Sequence, residues 1–110
     1  MNYNKKDCSF CPMFKDNDAT YMVITPLNPL VKGHKLIIPR YHTKDFTEHA
    51  YVSGGAMEMA STWAKKYIKG DVNLITSKGI NATQTVFHLH IHLIPRKKGD
   101  GLKLPWTNQK

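Results

Sequence analysis

Apolar and polar positions along the chain fall into blocks of differing period. Tyr21-Met22-Val23-Ile24-Thr25 is a short β-prone run, and the stretch from Pro26 to Pro29 turns it. Gly33 precedes a second run, Lys35-Leu36-Ile37-Ile38, which Pro39 stops. The short link predicts that these two runs pair as antiparallel strands. Val52, Ala56, Met59, Ala60, Trp63 and Tyr67 then follow steps of 4, 3, 1, 3 and 4, which is one face of a helix. Gly70 marks its stop, whereas Gly54 and Gly55 weaken its first turns. Val72-Asn73-Leu74-Ile75-Thr76 reads as a third strand, and Ser77 to Thr83 as a polar loop.

The last patterned segment runs from Val86 to Ile94 and alternates strictly between His88 and His92. Alternate side chains on a strand share a face. Phe87, Leu89, Ile91 and Leu93 are therefore expected to face the helix, with His88, His90 and His92 on the other side. The prediction is a single α+β domain over 1–110: an antiparallel sheet, one main helix packed on one face, and histidines on the opposite face. Met1–Lys6 is polar and expected to be flexible.

Composition narrows the picture. Hydrophobic residues at 41% and aromatics at 10% are globular values, not those of a disordered chain. At 110 residues the domain gains from a metal or a dimer interface. A net charge of +8, from 16 Lys and Arg against 8 Asp and Glu, favours an anionic partner. The cations are scattered along the chain, and neither a recognition helix nor zinc-finger spacing is present, which disfavours nucleic acid. A polar N-terminus without a long apolar run argues against signal peptide and membrane, and for the cytoplasm. There the pair Cys8-x-x-Cys11 is metal-binding or redox rather than a disulfide staple.

Six histidines in so small a chain, three of them on one strand face, point to chemistry. Three kinds need such a row: a metal site, general acid–base catalysis, and nucleophilic attack by an imidazole on phosphorus. Residues i and i+2 on a strand lie about 6.5–7 Å apart, so only the middle one, His90, is within reach of both neighbours.

His88-Leu89-His90-Ile91-His92-Leu93-Ile94 resembles the signature of the histidine triad proteins. The flanks are similar too: Cys8-Ser9-Phe10-Cys11, Asn28-Pro29 with Lys32-Gly33-His34, Leu36 to His42, Gln84-Thr85-Val86-Phe87, and Ile94-Pro95-Arg96. The resemblance spans about Cys8 to Trp106. It implies a nucleotide hydrolase or nucleotidyl transferase acting on a nucleotide or nucleotide conjugate, with His90 as nucleophile. His92 would polarise the phosphate, and His34 would help to hold the nucleophile. Thr85, with backbone amides near Thr83, Gln84 and Thr85, would cradle the phosphate. Phe10, Met13 and Leu27 would line a base pocket, Ser77 would stand beside the leaving group, and Trp106 would approach the active site. The resemblance further implies a structural zinc held by Cys8, Cys11, His42 and His88, and a homodimer formed through helix and strand edges. Two positions depart from the family pattern. Pro26 stands where an acidic residue commonly takes the ribose hydroxyls, and Ser77 where Asn or Gln is usual. Proline offers no side-chain acceptor. A zinc-stabilised nucleotide-binding module with weak catalysis is the alternative that these departures suggest, and charge alone favours a basic nucleic-acid binder.

Overall fold

The computed structural model describes residues 7–106; the expectation for Met1–Lys6 lies outside them. Four strands form one antiparallel sheet: β1 (Tyr21–Ile24), β2 (Lys35–Pro39), β3 (Asp71–Ile75) and β4 (Ile91–Arg96), in the order β1-β2-β4-β3. One helix, α1 (Ala50–Tyr67), joins β2 to β3. Two 3-10 turns, Cys11–Phe14 and Ile80–Ala82, also lie among the described residues. The expected architecture is present: one main helix on an open antiparallel sheet.

Alternation along β2 gives the sheet two apolar faces. Ile37 joins Val52, Ala56, Ala60, Leu89, Ile91 and Leu93 in the core under α1. Leu36 and Ile38 point the other way and pack with Phe14, against which Phe10, Met13 and Met22 lean. This second cluster clamps the N-terminal segment over the face opposite the helix. That segment carries the C-x-x-C, so its packing carries both cysteines to the same face as the histidines.

The helix starts at Ala50 in spite of Gly54 and Gly55, and one of the two has a packing reason. A Cβ at Gly55 would collide with the Tyr21 hydroxyl, which donates to the Val52 carbonyl at 3.4 Å. The helix ends at Tyr67, short of Gly70. Its last amide bond runs from Ile68 to Ala64, with Lys65 and Lys66 beside the negative end of the helix dipole.

The histidine strand begins later than its alternation predicts. The ladder takes in only Ile91–Arg96, paired with β2 through Lys35↔Leu93 and Leu36↔His92 and with β3 through Ile75↔His92. Upstream, the Leu89 amide donates to the Thr43 carbonyl at 2.7 Å, so the chain is tied to the loop after β2 instead of to a strand partner. Leu89, Ile91 and Leu93 do enter the helix-side core; Phe87 stays half-buried outside it.

Candidate functional site

Two groups of imidazoles share the face opposite the helix. The first is closed. His88 is fully buried, and its Nε2–H donates to the Pro39 carbonyl at 2.7 Å, which leaves Nδ1 bare. Bare Nδ1 lies 3.2 Å from Cys8 Sγ, 3.6 Å from Cys11 Sγ and 3.2 Å from His42 Nδ1. Cys11 Sγ is 3.2 Å from His42 Nδ1, and the four ligand atoms all lie within 4.8 Å of one another. Zn–S bonds of about 2.3 Å and Zn–N bonds of about 2.0–2.1 Å put the corners of a tetrahedron roughly 3.3–3.8 Å apart. The donor set therefore fits a four-coordinate zinc with no position left open. Two further features suit thiolate ligation: Cys8 Sγ accepts the amides of Phe10 and Cys11, both at 3.3 Å, and the Pro39 carbonyl fixes the His88 tautomer.

The second group is open to solvent on one side. His90 Nδ1–H donates to the His88 carbonyl at 2.8 Å, so the lone pair sits on Nε2. The Leu30 amide donates to His34 Nδ1 at 3.0 Å, which puts the His34 proton on Nε2. That proton is given to His92 Nδ1 at 2.9 Å, and His92 therefore carries its own proton on Nε2. A relay of fixed tautomers results, ending in an N–H donor beside a bare imidazole nitrogen, with the His90 and His92 rings 5.4 Å apart. Burial lowers the pKa of His34 and of His90, against the opposing hydrogen bond to the His88 carbonyl in the second case. Burial, then the neighbouring His90 and His34, pushes His92 down to about 4. All three rings are thus neutral near pH 7. A neutral imidazole is the form that can act as a nucleophile. Phe10 stands edge-on to both groups, 5.9 Å from the His88 ring and 5.2 Å from the His90 ring.

The remaining candidates are less convergent. Met13 packs beside Phe10 in the second apolar cluster. Leu27 is 96% exposed on the turn after β1, and Trp106 is exposed at the C-terminal end of the described residues. Ser77 is half-buried in the loop after β3. Gln84 is buried and committed to that loop, accepting the Gly79 amide at 2.8 Å and donating to the carbonyls of Lys44 and Val86. The amides of Thr83 and Gln84 are taken by the carbonyls of Ile80 and Gly79. Thr83 closes this turn in a left-handed conformation, φ 69°, that threonine seldom adopts, and exposed Thr85 follows two residues later. Sequence reasoning missed Thr76, whose hydroxyl donates to the His90 carbonyl at 2.7 Å and anchors the backbone of that residue. It also missed the Pro39 and His88 carbonyls and the Leu30 amide. These are main-chain groups, and the sequence gives no sign of which residue supplies them.

A small α+β domain with alternating imidazoles on the face opposite its helix is the arrangement of a histidine-triad protein, and the comparisons agree. The family model for the HIT domain matches residues 13–99, and the chain belongs to that family. It is 32% identical over 118 residues to the "Adenylylsulfatase HINT3" of Arabidopsis thaliana, covering 96% of this chain and 58% of the plant protein. It is 30% identical over 115 residues to the "Adenosine 5'-monophosphoramidase HNT1" of Saccharomyces cerevisiae, covering 94% of this chain and 72% of the yeast protein. A zinc-bound histidine triad family protein from Mycobacterium smegmatis superposes with a TM-score of 0.76 at 29% identity, over 91% of this chain and 82% of that one.

Proposed function

We propose that the protein cleaves nucleotide conjugates at the α-phosphorus through a covalent nucleotidyl-His90 intermediate. The observation that carries this reading is the fixed tautomer of His90, whose Nδ1–H is held by the His88 carbonyl at 2.8 Å while Nε2 stays bare. The lone pair on Nε2 attacks phosphorus, and the bond to the leaving group breaks with its electron pair going to that group, which takes a proton from water. The positive charge on the ring is met by the carbonyl already bonded to Nδ1–H. In the second step the oxygen of a water attacks phosphorus, the P–N bond breaks, its electron pair returns to Nε2, and the water's proton goes to solvent. His92 Nε2–H donates to a phosphate oxygen throughout, oriented by His34. Thr85 adds its hydroxyl, Ser77 stands beside the leaving group, and Phe10, Met13 and Leu27 border the base. The relatives named for adenylylsulfate and for adenosine phosphoramidate support a phosphoramidate, an acyl- or sulfate-linked nucleotide or a dinucleoside polyphosphate as substrate.

Cys8, Cys11, His42 and His88 hold a structural zinc, which ties the N-terminal segment to the loop after β2 and to the segment bearing His90. The thiols need a reducing compartment, which suits the cytoplasm. Val72, Leu74 and Ile75, all part-exposed on the sheet-edge strand β3, support a homodimer built on that edge. The test of the catalytic reading is turnover of an adenosine phosphoramidate by the parent and by His90→Ala, with intact-mass detection of a nucleotidyl adduct. An adduct on the parent and none on the variant is expected. Turnover by the variant near the parent rate would overturn the assignment.

A further inference from the structure

Folding concentrates charge that is scattered in the sequence. Lys65 and Lys66 lie in the last turn of α1, Lys69 follows it, and Lys32 and Lys35 lie just before and within β2. Lys35 shares the helix side of β2 with Ile37, so its ammonium rises toward α1, 5.8 Å from the centre of the Trp63 ring. Trp63 and Tyr67 lean on one another with ring centres 4.3 Å apart, and Lys66 Nζ lies 5.3 Å from the Tyr67 ring. Between these groups is a cavity of about 450 Å³, bordered by Lys32, Lys35, Trp63, Tyr67 and Lys69. This is within the ordinary size of a small-molecule site.

The electrostatic balance of the cavity is positive. Arg96 also borders it, but its guanidinium is bound to Asp100 at 2.7 and 3.0 Å and to Asn73 at 2.6 Å. Of the other bordering groups, Asp71 is the one acid against three lysines. The apolar lining is made by Trp63 and Tyr67 together with Ile68 and Pro95. Trp63 has its inner edge in the core, while Tyr67 is 56% exposed. Cations over aromatic rings, set around a concave surface, match a ligand with a flat ring and an anionic tail. The sheet separates this cavity from the imidazoles, which lie on the opposite face.

We propose that this cleft is a second binding site, for the nucleoside phosphate unit, whose base lies against Trp63 and Tyr67 and whose phosphate meets Lys32 and Lys69. The unit comes either as a free nucleotide or as part of a single-stranded nucleic acid. The site is independent of the chemistry at His90.

Trp106→Phe leaves Trp63 as the one tryptophan of the two in the chain, so its emission reports this cleft. That protein is titrated with AMP and with an oligodeoxyadenylate of about 10 nucleotides. Saturable quenching is expected with at least one of them. Equal response to both identifies the free nucleotide as sufficient, and response to the oligomer alone identifies the strand. Lys32→Glu combined with Lys69→Glu, both at exposed positions, should weaken that binding at least tenfold. It should leave turnover of a phosphoramidate unchanged. Trp63→Leu, which removes the stacking surface, should likewise abolish oligomer binding measured by anisotropy. No quenching by either ligand, or binding that survives the double charge reversal, overturns the proposal.

Discussion

His88 and His90 stand two residues apart in the segment that leads into β4, yet their imidazoles end in opposite chemical situations. The His88 ring gives its Nε2 proton to the Pro39 carbonyl and turns a bare Nδ1 toward two sulfurs and a second imidazole. The His90 ring gives its Nδ1 proton to the His88 carbonyl and leaves Nε2 bare on a half-buried ring. The side chains are identical; the accepting carbonyl decides which nitrogen keeps a lone pair. On the proposed reading, where that lone pair points decides the work: toward the two sulfurs it serves as a metal ligand, away from them as the nucleophile. One group is also closed and the other open. All four donors of the first converge on one point, which leaves a metal there no position for substrate. The second has three imidazoles in a row, and the relay from Leu30 through His34 to His92 orients a proton without filling the cleft.

This contrast is broken most sharply by exchanging losses between the groups. His90→Ala should lower turnover by about 10³-fold or more, since a covalent nucleophile has no substitute among the neighbouring groups. Its melting temperature should stay close to that of the parent, because the ring is only half-buried and lies outside both apolar cores. Turnover kinetics and thermal melts on one preparation check both halves. A variant that loses its fold along with its activity would show that the open group is structural after all.

Cys8→Ser makes the opposite cut. Zinc binding contributes folding free energy, so loss of one thiolate should lower the melting temperature by about 10 °C or more and bring the zinc content below one per chain. At a temperature where the variant is still folded, its turnover should remain within about an order of magnitude of the parent, because no donor of the closed group touches the phosphate. Metal analysis, melts and low-temperature rates together decide it; an unchanged melting temperature would remove the metal from the account of stability.

Much of this division was legible in the residues themselves. Alternation placed Leu89, Ile91 and Leu93 under the helix, and the spacing of Val52, Ala56 and Ala60 gave the face that receives them. The division of labour between His88 and His90 came from the family resemblance, and the tautomers that underlie it did not show in the sequence. They depend on the Pro39 carbonyl, which lies 49 residues away in sequence, and on the Leu30 amide, and backbone groups look alike at every position. The late start of β4 was invisible for the same reason: the Thr43 carbonyl captures the Leu89 amide, and only folding brings them together. The resemblance implied backbone amides near Gln84 in a phosphate cradle; the sequence carried no sign of what the Gln84 side chain does, which is to brace the loop after β3 through Gly79, Lys44 and Val86.

Pro26 sharpens the contrast from the substrate's side, with a smaller effect. Where the family commonly has an acidic acceptor for the ribose hydroxyls, a proline ring offers none. On the proposed nucleotide reading, two hydrogen bonds to a charged group, each worth about 1.5–3 kcal/mol, are thereby missing. Discrimination between a ribonucleoside monophosphate and its 2′-deoxy analogue should fall within about tenfold, or ~1.4 kcal/mol. Paired binding titrations measure it, and Pro26→Asp should widen the gap. A ribose preference well beyond tenfold in the unaltered protein would mean that another group reads the sugar.

The smallest expected effect concerns protons on the open group. His92 has its pKa pushed from 6.5 to about 4, first by burial and then by His90 and His34. The unfolded chain, with an ordinary histidine, takes up a proton near pH 6.5, whereas the folded protein resists until about pH 4. The unfolded state therefore binds more protons within that window, and folding stability contributed by the neutral ring falls as pH drops through it, being fully present above pH 6.5. His92→Asn removes this contribution and should show a shallower acid loss. With solvent reaching the half-buried ring, the difference between pH 7 and pH 5 should be about 1 kcal/mol, or about 5 °C in melting temperature. Any acid loss at the Cys8, Cys11, His42 and His88 group acts equally on parent and variant and cancels in the difference. Melts of both proteins across that range give the answer. Parallel pH curves would mean that His92 takes up its proton alike in the folded and the unfolded chain, so that burial, His90 and His34 do not hold the ring neutral, and the relay that presents its Nε2–H to phosphate would lose its support.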